Sequence, residues 1–74
     1  MARVLHLLSR HDAPLAADVI AQEVEAGDDV TVALLAGMAA PDLPDGVQAR
    51  RVPEELSYPR LLEEIFAADQ VITW

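Results

Sequence analysis

The sequence predicts a small single-domain α/β protein, in which a four-stranded parallel sheet of order 2-1-3-4 is flanked by helices. Three observations support this prediction. The chain has 74 residues, which is the size of one domain, so residues 1–74 are predicted to form a single domain. Short apolar, β-branched runs alternate with segments whose apolar residues recur at helical spacing. Strand and helix alternate along the chain, which favours parallel strands joined by right-handed crossovers.

The first half of the chain is predicted to form a strand, a helix and a second strand. Residues 3–8 are nearly all apolar, as is typical of a strand buried on both faces. A helix is predicted over 13–26, with Asp12 as its N-cap and Gly27 at its C-terminal end. The apolar residues of this helix are spaced for one face: Leu15, Ala16, Val19, Ile20 and Val24. The second strand is predicted over 30–35.

The second half repeats the alternation after an irregular connection over 36–46. The third strand, over 47–52, is more polar, and we expect one of its faces to be partly exposed. Ser57 is the predicted N-cap of a helix over 58–69. The apolar stripe of that helix is Leu61, Leu62, Ile65 and Phe66. Residues 71–74 are predicted to form the last strand, completing a flavodoxin-like arrangement.

Composition excludes several classes of function. The chain has 13 acidic residues against five basic ones, all arginine, and a formal net charge of −8. This charge opposes direct binding to nucleic acid, which requires a basic surface, and to anionic membranes. No apolar run approaches the ~20 residues that span a bilayer, so we expect neither a membrane partner nor a location outside the cytoplasm.

Stabilisation of so short a chain also has few sources. Cysteine is absent, so neither disulfides nor thiolate metal sites can form. His6 and His11 are too few for a convincing zinc site, and we expect no metal and no cofactor. Since small domains depend on such supports or on a partner, we expect this chain to self-associate or to bind another subunit.

The carboxyl edge of the predicted sheet carries the candidate ligand or interface residues. Ser9, Arg10 and His11 follow the first strand, where parallel sheets commonly meet ligands. They could hold an anion beside a helix N-terminus, support Ser–His nucleophilic catalysis or form a solvated loop. Gly37 and Met38 follow the second strand, but without a glycine-rich motif, so Gly37 is interpreted as a turn residue. No catalytic residue is assigned.

Two further side chains stand out. His6 lies within the first strand, and we expect it to be a core histidine hydrogen-bonded to its surroundings. Trp74 either caps the edge of the core or anchors a partner, because tryptophan is enriched at interface hot spots. An unpaired edge strand invites a partner, so we predict that Trp74→Ala weakens association more than it unfolds the subunit.

Four segments together resemble the TusB/DsrH family of small sulfur-relay proteins, within the DsrE-like group. Residues 4–9 (VLHLLS) look like the family's opening strand and loop, and 28–38 (DDVTVALLAGM) look like its second strand and turn. Residues 57–66 (SYPRLLEEIF) and 71–74 (VITW) look like its closing helix and terminal tryptophan. The resembling segments extend along the length of the chain and imply a DsrE-like fold.

The chain departs from this family at two places. Family members are usually longer after the third strand, and some relatives carry a persulfide-bearing cysteine that is absent here. The resemblance therefore implies a non-catalytic subunit, not an enzyme by itself, whose Cys-bearing DsrE-like partner performs sulfur relay for tRNA thiolation or sulfur oxidation. The alternative is a free-standing homo-oligomeric module that binds a small anion at the carboxyl edge of the sheet.

Overall fold

An all-parallel, four-stranded sheet and two helices form the described part of the computed structural model, which comprises residues 2–9, 14–35, 37 and 43–74. The elements are, in chain order, β1 (Arg3–Leu8), α1 (Pro14–Glu25), β2 (Asp29–Leu34), β3 (Gln48–Arg51), α2 (Tyr58–Ala67) and β4 (Gln70–Thr73). The predicted α/β class is confirmed, and each predicted element is present with small shifts of its ends. The proposed cap at Asp12 lies outside the described residues.

The order of the strands is 3-2-1-4, which corrects the predicted order 2-1-3-4. β1 pairs with β2 on one side and with β4 on the other, while β3 pairs with β2. Burial explains this arrangement. The two apolar strands, β1 and β2, occupy the centre, where both faces are covered, whereas the polar β3 and β4 are largely exposed at the edges.

Each face of the sheet is covered by one helix. Because side chains alternate along a strand, β1 directs Val4, His6 and Leu8 to one face and Leu5 and Leu7 to the other. The first face and α1 form a core cluster of Leu8, Ala16, Ile20, Val30, Val32 and Leu34. The second face and α2 form a cluster of Leu5, Ala33, Val52, Leu56 and Leu61. The sheet is therefore the middle of three layers.

Helix ends follow the chemistry expected from the sequence. Gly27 has a φ of +87°, and its N–H donates to the carbonyl of Val24 at 3.0 Å, while the N–H of Asp28 donates to that of Glu23 at 3.0 Å. This pair of bonds is a Schellman motif, which ends α1 at the predicted glycine. At α2, the hydroxyl of Ser57 accepts a bond from the N–H of Arg60 at 3.4 Å, as predicted for an N-cap.

The predicted apolar stripes are only partly buried. In α2, Leu61 is buried and Ile65 packs against the core, but Leu62 is 56% exposed and Phe66 86% exposed. A helix turns by about 100° per residue, so each side chain that follows an inward-facing one points well away from the sheet. Leu15 of α1 lies one position before the inward-facing Ala16, so the same rotation between adjacent positions leaves it exposed.

Candidate functional site

The order 3-2-1-4 places a topological switch point between β1 and β4. The chain leaves β1 through α1 to reach β2 on one side, and α2 returns it to β4 on the other. In open α/β sheets, ligands bind in the crevice beyond the carboxyl ends of the strands at such a point. Ser9 follows β1 here and Trp74 follows β4, so two of the predicted site residues meet at this edge.

Backbone and hydroxyl groups tie these two strand ends together. The Oγ of Ser9 donates to the carbonyl oxygen of Trp74 at 2.9 Å, and the N–H of Ser9 donates to the same oxygen at 3.4 Å. The N–H of Trp74 donates to the carbonyl of Leu7 at 2.9 Å. The hydroxyl proton of Ser9 is thus already engaged, and its role in this structure is to hold β4 against β1.

A partly buried, hydrogen-bonded cluster of His6, Glu23 and Trp74 lies on the α1 face below this edge. The side chain of His6 has no exposed surface. Its Nδ1 lies 2.9 Å from Nε1 of Trp74, and its Nε2 lies 2.5 Å from Oε1 of Glu23. The imidazole and indole rings are nearly parallel, with 16° between their planes and 6.2 Å between their centroids. One side chain from each of β1, α1 and the end of β4 therefore meets in this cluster.

The hydrogen-bond donors determine the tautomer of His6. An indole Nε1–H can only donate, so Nδ1 of His6 must accept and carries no proton. The proton of the neutral ring is therefore on Nε2, from which it is donated to the carboxylate of Glu23. Both ring nitrogens are satisfied, and within the described residues no buried side-chain polar atom lacks a partner. The expectation that His6 is a hydrogen-bonded core residue is confirmed.

This arrangement differs from a catalytic triad in one decisive respect. In a triad, the histidine nitrogen opposite the carboxylate faces a nucleophile that is open to substrate. Here, that nitrogen faces the indole of Trp74, and the ring of His6 is fully enclosed. His6 and Glu23 can hold and orient Trp74, but they do not reach a substrate in this conformation.

The remaining candidate residues contribute less to the described geometry. Gly37 is exposed in a turn after β2 and has a φ of +72°, a conformation that favours glycine. Arg10, His11 and Met38 lie outside the described residues. Trp74 is partly buried and packs against the α1-side cluster, so its ring geometry favours the core-cap interpretation, while an interface role remains a prediction.

A cleft of about 220 Å³ lies at the opposite, amino-terminal edge of the sheet, beneath the end of α2. Its polar lining residues are Arg3, Asp29, Thr31, Gln48 and Glu64. The pairing register places the four strand residues of this set on the α2 face, which sequence periodicity alone did not reveal. The cleft is smaller and more polar than most small-molecule sites, so it is a weaker candidate than the carboxyl edge.

An exposed apolar stripe on α2 is the other candidate surface. Tyr58, Leu62 and Phe66 follow one another at intervals of four residues, so they lie along one flank of the helix, and all three are exposed. We call these three residues the α2 stripe. Val71 on the edge strand β4 is a further exposed apolar side chain. Clustered exposed apolar residues commonly mark interaction sites, which makes the α2 stripe a candidate protein interface.

Comparisons with protein-family models, curated proteins and solved structures found no match for this chain. Within the described residues, no group of three or more potential metal-ligating side chains is close enough to hold an ion, and no helix has the length and apolar character required to cross a bilayer. The carboxyl edge and the α2 stripe are therefore the two surfaces of the described residues on which a proposed function can rest.

Proposed function

We propose that this chain is a non-catalytic, partner-binding subunit of a cytoplasmic sulfur-relay assembly of the TusB/DsrH kind, supporting tRNA wobble-uridine thiolation or sulfur trafficking. The observation that carries its partner-binding part is the exposed α2 stripe, in which Phe66 is 86% exposed. The sulfur-relay part rests on the resemblance of residues 4–9, 28–38, 57–66 and 71–74 to that family.

The chemistry of the chain supports a non-catalytic role within such an assembly. A persulfide requires a cysteine thiol, and the sequence contains none. The buried His6 has both nitrogens occupied, and the hydroxyl of Ser9 is bonded to a backbone carbonyl. Sulfur transfer would therefore be performed by a Cys-bearing DsrE-like partner, with this chain contributing a binding surface.

The charge of the chain favours a different protein as this partner. A second copy would bring another formal charge of −8 against the first, which opposes self-association. Arg60, on the exposed side of α2, already pairs with Glu63 at 3.0 Å. Its charge is therefore not available to offset the acidic excess of the chain. A partner with an apolar groove would complement the α2 stripe, and a basic rim around that groove would complement the negative charge of the chain.

The experiment is a reconstitution with Cys-bearing DsrE-like subunits from the same organism. We expect the purified chain to form a stoichiometric complex with them in size-exclusion chromatography and to increase sulfur transfer from a persulfide donor to the acceptor. The chain by itself should neither accept labelled sulfur nor release it on reduction.

Two variants separate this proposal from a trivial failure to fold. Phe66→Ser should abolish the complex while the far-UV circular dichroism stays unchanged, whereas Leu15→Ser, an exposed apolar control on α1, should leave the complex intact. Reductant-releasable sulfur on the isolated chain would contradict the non-catalytic role, and absence of any complex with the Cys-bearing subunits would contradict the sulfur-relay assignment.

A second candidate function is a free-standing homo-oligomer that binds a small anion at the carboxyl edge. The switch point between β1 and β4 favours it, because Ser9 lies there, with Arg10 and His11 following in the sequence. Titration with inorganic phosphate, monitored by ¹⁵N–¹H spectra, should then shift the amide signals of Ser9 and its neighbours at saturable concentrations. Unchanged signals there would reject this alternative.

A further inference from the structure

The cluster of His6, Glu23 and Trp74 joins a titratable side chain to the only tryptophan of the chain. We propose that His6 is a proton-operated latch: proton uptake at its Nδ1 releases the indole of Trp74 from the α1 face of the sheet. The latch concerns a different part of the molecule from the α2 stripe, and it does not depend on the proposed sulfur-relay function.

The argument begins with the donors and acceptors. In the neutral ring, Nδ1 accepts the indole proton and Nε2 donates to Glu23. In the imidazolium, both nitrogens are donors. The new Nδ1–H would then face the Nε1–H of Trp74 across 2.9 Å, so that two donors would oppose each other beside an imidazole ring that has no exposed surface. The bond to Trp74 cannot survive protonation.

The carboxylate of Glu23 makes proton uptake by His6 feasible. It lies 2.5 Å from Nε2, so the protonated ring gains an ion pair on that side as it loses the indole on the other. Among the described residues, Glu23 is the titratable group that α1 directs at His6. The residues that β2 and β4 place on this face are Val30, Val32, Leu34, Gln70, Ile72 and Trp74, none of which is charged.

The indole is the part of this cluster that can move. His6 is fully enclosed in the central strand and Glu23 is held on α1, but Trp74 is only partly buried and follows the last residue of β4. Its backbone stays attached through the bonds to Leu7 and Ser9, so release swings the ring without detaching the strand. Water can then reach Nδ1–H of His6. Proton uptake therefore changes the carboxyl edge locally.

The test uses the intrinsic fluorescence of the whole chain, because Trp74 is its only tryptophan. As the pH is lowered, we expect a reversible shift of the emission to longer wavelength, with unchanged far-UV circular dichroism. In ¹⁵N spectra, the ring of His6 should change from the Nε2–H tautomer to the imidazolium over the same pH range.

Three variants identify the group responsible. His6→Asn keeps an acceptor oxygen near the position of Nδ1 but does not titrate, so its emission should not shift. Glu23→Gln removes the charge that favours the imidazolium and should move the transition to lower pH. His11→Asn, which removes the other histidine, should leave the transition unchanged.

Each of three results would overturn the latch. The first is a wild-type emission that stays constant while the His6 ring gains its second proton in the ¹⁵N spectra. The second is a shift that persists in His6→Asn or disappears in His11→Asn. The third is loss of circular dichroism together with the shift, because release would then be a consequence of global unfolding. The spectra of the wild-type chain decide the question even if His6→Asn does not fold.

Discussion

Single side chains near the carboxyl edge of the sheet connect elements that are far apart in the sequence. His6 bonds to Glu23, 17 positions away, and to Trp74, 68 positions away. A buried polar group that loses its partner retains the full cost of its desolvation, so each member of this cluster should influence stability through the others.

The first prediction concerns Glu23. Replacing it by alanine leaves the Nε2–H of the buried His6 without an acceptor, which should lower the free energy of unfolding by about 1–3 kcal/mol. Glu25→Ala, an exposed change on the same helix, is the matched control and should have an effect within about 0.5 kcal/mol. Urea denaturation of both variants measures the difference, and equal effects would show that the His6–Glu23 bond does not stabilise the fold.

The second prediction concerns Trp74, which packs against the α1-side cluster and donates to His6. Trp74→Ala should lower folding stability by about 3 kcal/mol, because it removes both contacts. Trp74→Phe keeps an apolar ring but removes the donor, so we expect a smaller loss. Denaturation and oligomer dissociation should be measured on the same variants. If Trp74→Ala keeps wild-type stability and only weakens association, the interface interpretation is the correct one.

At the scale of elements, α2 buries only part of its apolar surface. Leu61 and Ile65 face the sheet, whereas Tyr58, Leu62 and Phe66 face away from it. The buried side chains attach the helix to the fold, and the exposed ones are available to a partner. Adjacent leucines in one helix therefore have different expected roles.

The third prediction compares these two leucines. Leu61→Ala should lower the free energy of unfolding by about 2–5 kcal/mol, because it leaves a cavity in the α2-side core. Leu62→Ala, at the next position, should change it by no more than about 0.5 kcal/mol, since its side chain is 56% exposed. Thermal or chemical denaturation gives both values. A large loss for Leu62→Ala in the isolated chain would mean that the α2 stripe is already covered.

The fourth prediction concerns the turn that follows β3. The backbone N–H of Arg51 donates to Oε1 of Glu55 at 3.0 Å, and the guanidinium of Arg51 donates to the same oxygen at 3.3 Å. The backbone bond first, and the side-chain bond second, lower the pKa of the Glu55 carboxyl from its ordinary value. A lowered folded-state pKa means that the stabilisation is present at neutral pH and is lost as the pH falls through that pKa. The effect should be small and sensitive to salt, because the side chains of Arg51 and Glu55 are both exposed.

Removing this carboxyl should flatten the acid side of the stability profile. Glu55→Gln is therefore expected to show a shallower decrease in stability with falling pH than the wild type at low salt. Glu54→Gln, its exposed neighbour, is the control and should follow the wild-type curve. Parallel curves for Glu55→Gln and the wild type would show that the turn contributes nothing to acid stability.

At the scale of the whole molecule, the chain combines a small core with incompletely covered surfaces. Its sheet ends in two short, largely exposed edge strands, β3 and β4, and one helix presents an apolar stripe. Unpaired edges and apolar stripes both favour association. A 74-residue chain without cysteine has few other sources of stability.

The fifth prediction follows from this combination. At micromolar concentration, we expect the chain to occur as a dimer, a larger oligomer or a complex with another subunit. Light scattering measures the mass, and a concentration-dependent melting temperature should accompany association. A stable monomer with cooperative melting at that concentration, both alone and in the presence of the Cys-bearing subunits, would contradict the prediction.

The sequence by itself determined the class of the fold and the positions of its elements, because hydrophobic periodicity and helix caps are local signals. Gly27 and Ser57 mark their helix ends correctly, and His6 is the buried, hydrogen-bonded residue that its strand predicted. The proposed role of Ser9 at the carboxyl edge was also a local inference, from its place after a strand. Such signals require no knowledge of which elements are neighbours.

Only the tertiary structure decided which elements meet. The strand order 3-2-1-4 results from competition among possible partners for β1, and the alternation of strands and helices along the chain does not decide its outcome. Which side chains of α2 are buried depends on the rotation of the helix about its axis against the sheet. The sequence does not determine this rotation, because the apolar arc is broad and contains Leu61, Leu62, Ile65 and Phe66. The cluster of His6, Glu23 and Trp74 forms because parallel pairing brings β4 beside β1, and no spacing in the sequence encodes that contact.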